Sequence, residues 1–217
     1  MLETGNWILD TRFSQSAIGN RQSVIPLFYF IAIGLGYILA EIAFIQRFVL
    51  FLGHPTYALT VVIFLMLLAS GAGSMLSRRW LFDPLQVRTP LVVVVVLLLT
   101  YIWVLPPLLR ALVGLPFLLK LLISALALVP LGLAMGMPFP SGLRALAASS
   151  LAARSAQQGN AIEWAWALNA ASSVLGSVLA MVIAIQFGLS WTLASGALAY
   201  LLALVLVPRL RALPPAH

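Results

Sequence analysis

Cysteine is absent from all 217 residues, which excludes a disulfide framework, a thiolate metal site and a cysteine nucleophile. Histidine occurs only at His54 and at the terminal His217, so a histidine-based metal site or a Ser–His–Asp arrangement has no support. Charge is also scarce: 8% of the residues are charged, against about 25% in a soluble domain. A water-facing surface cannot be built from that set. Acids are rarest, five Asp or Glu against twelve Lys or Arg, giving a net charge of +7. In a soluble chain this basicity would suggest nucleic acid. Here it points to basic loops facing anionic lipid, with no nucleic-acid partner expected. No glycine-rich run stands between a strand and a helix, so phosphate-loop and dinucleotide fingerprints are missing too.

What remains is apolar: 63% of the residues are hydrophobic and mean hydropathy is +1.09. Six runs are long enough to cross about 30 Å of hydrocarbon at about 1.5 Å per residue, namely 25–47, 57–77, 90–109, 117–137, 164–187 and 189–207. The expected fold is therefore all-α, a six-helix polytopic membrane domain over residues 24–208. It is flanked by tails at 1–23 and 209–217, with the N-terminal tail either disordered or lying in the interface. The third and fourth spans are joined by a Pro-rich segment, Pro106, Pro107 and Pro116, expected to dip into the interface. Phe187-Gly188-Leu189-Ser190 is short enough only for a tight helical hairpin.

Basic residues set the expected orientation. Arg12, Arg21, Arg78, Arg79, Arg88, Arg144, Arg154, Arg209 and Arg211 fall on one side of a six-span arrangement, and Arg47, Arg110 and Lys120 on the other. The positive-inside bias then puts both termini in the cytoplasm. Leu143, Leu146, Ala147 and Leu151, with Arg144 and Arg154, fit a short interfacial helix in the fourth loop.

Candidate chemistry centres on Glu41 in the first span. An ionisable residue at the bilayer centre costs about 2.5–3.5 kcal/mol on insertion scales, so its presence calls for a reason. The functional reading is a proton or cation relay or an amine ligand. The structural reading is a cross-helix pair, with Asn169 or Lys120 as partner. Glu41, Gln46, Arg47 and Asn169 form the candidate intramembrane polar site. His54 before Pro55 reads as a helix-end cap. In the fifth span, Asn169, Ser172, Ser173, Gly176, Ser177 and Ala180 recur at spacings of three and four, a small and mildly polar stripe suited to close helix packing. That stripe leads to the expectation that the fifth span is the most buried of the six. Gly71 to Arg79 resembles weakly the loop between helices two and three of major-facilitator transporters, without its acidic residue.

Three blocks carry a more specific likeness: Gly36 to Pro55, including GluIleAlaPheIleGlnArgPheValLeuPheLeuGlyHisPro; GlyMetProPheProSerGlyLeuArg at 136–144; and TrpAlaTrpAlaLeuAsnAlaAlaSerSerValLeuGlySerValLeuAla at 164–180. In this order they resemble the C-terminal membrane module of bacterial integral-membrane spermidine-synthase-like proteins. In such proteins the module follows a soluble aminopropyltransferase-like domain, whose catalytic residues have no counterpart among these 217. The resemblance implies a multi-pass protein of the bacterial inner membrane and a platform without enzymatic activity. The leading expectation is a membrane module or accessory subunit in a larger assembly with other membrane chains. The alternatives are a transporter-like half acting as a homodimer on an amine or small cation, and an anchor recruiting a separate aminopropyltransferase-like enzyme.

Overall fold

The computed structural model describes the backbone of residues 9–80, 84–148 and 155–210, and the side chains of 27–79, 86–147 and 162–208. Among the described residues the fold is all-α: α1 (Leu9–Leu52), α2 (Pro55–Trp80), α3 (Arg88–Ala111), α4 (Phe117–Gly136), α5 (Pro138–Ala148), α6 (Ser155–Gln186) and α7 (Leu189–Leu206). Six segments are long and apolar enough to cross a membrane: Leu27–Leu52, Pro55–Arg79, Arg88–Ala111, Phe117–Ala147, Ile162–Gln186 and Leu189–Leu206.

The turns between spans are written in local chemistry. Gly53 and Gly188 adopt φ of 86° and 92°, a region open to glycine and strained for other residues. The Gly53 amide closes α1 by donating to the Val49 carbonyl at 2.9 Å, and the Gly188 amide closes α6 by donating to Ile183 at 3.1 Å. Pro55 then opens α2 at a position where its missing N–H is no loss. His54 Nδ1 accepts from the Thr56 amide at 3.3 Å, so the histidine is a helix cap.

Two boundaries differ from the sequence reading. Of the prolines expected to join the third and fourth spans, Pro106 and Pro107 lie inside α3, which continues to Ala111, and only Pro116 stands in the connection. Burial of Leu105 and Leu109 holds those last turns helical although each proline removes a backbone bond. The first helix also starts well upstream of residue 25, at Leu9. Extending a formed helix adds a bond for each residue fixed, whereas a new helix needs a costly nucleus.

The centre of the bundle is α1, not α6. Of the most apolar window in each span, 61% of the α1 residues are buried against 17% for α6, which overturns the expectation that the fifth span is the most buried. The physical reason is that a small-residue stripe buries one narrow face, and in lipid the remaining apolar faces need no cover. α6 and α7 pack along α1, α2 pairs with α4, and α3 rests on α7. Glycines make these approaches close. A methyl group at Gly73 or Gly136 would collide with the Leu133 and Ser70 carbonyls across the α2–α4 contact. At the α1–α7 crossing Gly36 lies against the Tyr200 ring and the Gly196 carbonyl.

Between Gly136 and Arg144 the helix is interrupted at Met137, since α4 ends at Gly136 and α5 begins at Pro138. α5 docks on α1 through edge-on aromatic contacts: Tyr29 with Phe30 at 5.3 Å, Phe30 with Phe139 at 5.6 Å, and Phe139 with Trp166 of α6 at 4.5 Å. Tyr29 also donates its hydroxyl to the Pro138 carbonyl at 2.8 Å. The short helix expected in the fourth loop is thus present at 138–148, while Leu151 and Arg154 lie outside the described residues.

Candidate functional site

On α1, residues 34, 37, 41 and 45 succeed one another at spacings of three and four and share one face. Gly34 on that face meets α6: a methyl there would come within 2.5 Å of Ser172 Oγ and 2.7 Å of Asn169 Oδ1. Ser173 donates to the Asn169 carbonyl at 2.9 Å and reaches the Gly34 carbonyl at 3.3 Å, a hydroxyl shared across the helix contact. Ser172 donates to the Asn169 carbonyl at 2.9 Å. One turn on, Gly176 receives Ile38 and Leu35, and Ala180 is fully buried. Ser177 turns its hydroxyl back to the Val174 carbonyl at 2.7 Å and stays near the edge of the contact. The stripe on α6 is therefore its seam with α1.

Beside that seam α1 is left uncovered. α2 and α6 both lean on α1 and make no substantial contact with each other. Between them opens a cleft of about 510 Å³, lined among others by Gly34, Tyr37, Ser70, Gly71, Asn169 and Ser173. Its lining mixes these small and polar groups with large apolar ones, among them Leu67, Met135, Phe139 and Trp166. Gly71 has open space where a side chain would project. The Tyr37 hydroxyl is buried and has no hydrogen-bond partner of regular geometry among the described residues. Ser70 stands by it as an acceptor, its own proton going to the Leu67 carbonyl at 3.1 Å.

Glu41 lies one turn deeper on the Tyr37 face and is only 8% exposed. It has neither ion pair nor hydrogen bond among the described residues. The two partners expected for it are elsewhere. Asn169 sits at the Gly34 level, about two turns away along α1. Lys120 lies at the far end of the bundle, with its ammonium 5.7 Å from the centre of the Phe51 ring. Both mismatches have one cause: Asn169 is drawn to the closest point of the α1–α6 crossing, and Lys120 begins a helix at the membrane surface.

Gln46 and Arg47 also point away from Glu41. Gln46 Nε2 donates to Met181 Sδ at 3.0 Å, and Arg47 Nη2 donates to Ser190 Oγ at 2.9 Å, each bracing α1 against the end of another helix. The four polar residues thus separate into Glu41 alone, Asn169 at the seam, and Gln46 with Arg47 at the Gly53–Gly188 end. The sequence reading assigned no role to Tyr37, Ser70 or Ser74. The open Gly71 in an otherwise apolar run was the available signal.

Among the described side chains no group of three His, Asp or Glu could hold a metal ion. What the arrangement can do is bind: the Tyr37 phenol stands in the wall of the cleft, with the buried Glu41 carboxyl group one turn further along α1. No protein family, no curated protein and no solved structure matches this chain.

Proposed function

We propose that the chain is a non-enzymatic membrane module whose α2–α6 cleft takes a transmembrane helix of a partner chain. The carrying observation is a cleft on the sides of membrane-spanning helices whose wall includes the small or polar Gly34, Ser70, Gly71, Ser74, Asn169 and Ser173. Lipid tails cannot hydrogen-bond them, and an unsatisfied polar group in hydrocarbon costs several kcal/mol, roughly. A partner helix bearing small and polar residues can approach at Gly71 and answer the hydroxyls. The resemblance to the membrane module of spermidine-synthase-like proteins supports the same reading, because such a module accompanies a catalytic domain without carrying its residues. On that likeness the assembly belongs in a bacterial inner membrane, and the basic asymmetry of the loops favours both termini in the cytoplasm.

A photo-crosslinking residue at Leu67, on the cleft, tests this against one at Leu126, on the outer face of α4. The expected result is a discrete protein adduct from position 67 only, identified by mass spectrometry as another chain or a second copy. Lipid adducts alone at both positions would overturn the reading.

Glu41 favours a second reading. A buried carboxyl group without a partner in its own chain is suited to an amine or small cation entering along the cleft, since attraction grows as the dielectric falls. Proteoliposome uptake of methylammonium, abolished by Glu41→Gln with assembly intact, is its signature. Uptake equal to that of empty liposomes would remove this reading and leave the first standing.

A further inference from the structure

The end of the bundle opposite α5 carries an unanswered positive charge. A cavity of about 270 Å³ lies there, with Gln46, Arg47 and Phe51 of α1, Leu109 and Arg110 of α3, and Leu189 of α7 in its wall. Either arginine alone would be an ordinary snorkelling side chain. Together they place two guanidinium groups in one small recess. The first turn of α7 adds its own partial positive charge, of about half an elementary charge. Arg47 spends one nitrogen on Ser190 of that turn, and its buried Nε–H has no acceptor among the described residues. Lys120 adds a further cation against Phe51.

Nothing described balances these charges. The described acids are Glu41, six residues before Arg47 on α1, and Glu163, at the opposite end of α6. Arg110 has partial relief, since it stands in the last turn of α3, where the helix dipole favours a cation. Arg47 has none.

We propose that this recess binds a phosphate oxyanion between Arg47 and Arg110. A guanidinium presents parallel N–H donors that match two oxygens of a phosphate group, which accounts for a free Nε–H beside a committed Nη2. The walls of Phe51, Pro106, Leu109 and Val113 suit a phosphate that arrives with acyl chains attached, as in an anionic phospholipid. Free phosphate has the same recognition chemistry, so the two sources are separated by experiment.

Native mass spectrometry of the detergent-purified protein, titrated with phosphatidylglycerol, reads the site directly. Arg47→Gln and Arg110→Gln should each weaken binding about tenfold or more, the loss of charged hydrogen bonds. Arg79→Gln, at the other end, should leave it unchanged. Arg47→Lys keeps the charge without the fork and should also bind more weakly. Displacement by millimolar inorganic phosphate would make the free ion a ligand; retention against it would assign the site to the headgroup. Equal phosphatidylglycerol binding by Arg110→Gln and the unaltered chain would overturn the proposal, even if Arg47→Gln fails to fold. So would an equal loss in Arg79→Gln.

Discussion

Arg144 of α5 donates to the Ser77 carbonyl of α2 at 3.1 Å while a second bond, at 2.9 Å, goes to Ser141 Oγ one turn back on its own helix. Ser77 lies in the last turns of α2, where carbonyls lack intrahelical donors and a cation is favoured. A residue that looks in the sequence like one more interfacial cation is thus the clasp between two helices. Arg144→Ala should lower thermal stability in detergent by about 1 kcal/mol, since the side chain is partly solvated. Arg144→Lys should recover part of that loss. No shift in melting temperature for the alanine variant would reduce Arg144 to an orientation signal.

Tyr29 carries a larger share of the same junction. Its hydroxyl bond to Pro138 is fully buried, and Gly142 lies against its ring with no room for a methyl group. Tyr29→Phe leaves the ring contacts and should destabilise the protein by about 0.5–1.5 kcal/mol, the net worth of one hydrogen bond. Gly142→Leu should be worse, because it displaces the ring itself. A chemical-denaturation series in micelles compares the two.

The α1–α6 seam predicts its own failure. Gly176→Leu drives a bulky side chain into Ile38 and the α1 backbone at Leu35, forcing apart the two helices that Ser173 bridges. Folded yield should fall sharply, while Val178→Leu on the exposed face of α6 should be silent. Equal yields from both variants would show that α6 is not held by this stripe.

Topology is tested independently of packing. Six spans with the observed basic asymmetry should place a reporter fused at Gly114 and one fused at His217 on opposite sides of the membrane. Activity of both on one side would refute the orientation.

Much of this fold is legible in the sequence, and the reason is locality. Hydropathy marks the six spans, Gly53-His54-Pro55 and Gly188 mark the turns, and spacings of three and four mark the Ser172–Ala180 face, each within one segment. Centrality is a different kind of property. In water a buried helix differs from a surface helix in its pattern, but in lipid an exposed face is as apolar as an enclosed one, so nothing in α1 or α6 says which is more enclosed. The cleft is invisible for a related reason: Tyr37, Ser70 and Asn169 come from three helices, and no single segment contains the gap. Arg47 and Arg110 likewise meet only because α1 and α3 end at one surface.

Glu41 offers the sharpest test of whether a residue is kept for folding or for binding. A buried carboxyl group that accepts a structural bond leaves a partner stranded when removed, and such a loss is costly. Glu41 has no described partner to strand. Substituting an apolar side chain of similar size then removes a desolvation cost and adds packing, so Glu41→Leu should be neutral or stabilising by about 1–2 kcal/mol. Glu41→Gln should retain the fold with little change. Both variants should nevertheless impair methylammonium uptake in liposomes, while the assembly followed by size-exclusion chromatography persists. Stability rising while binding falls is the mark of a functional site maintained against the interest of the fold. A strong loss of stability in Glu41→Leu would mean instead that the carboxyl group is a structural element, and the cation reading would go with it.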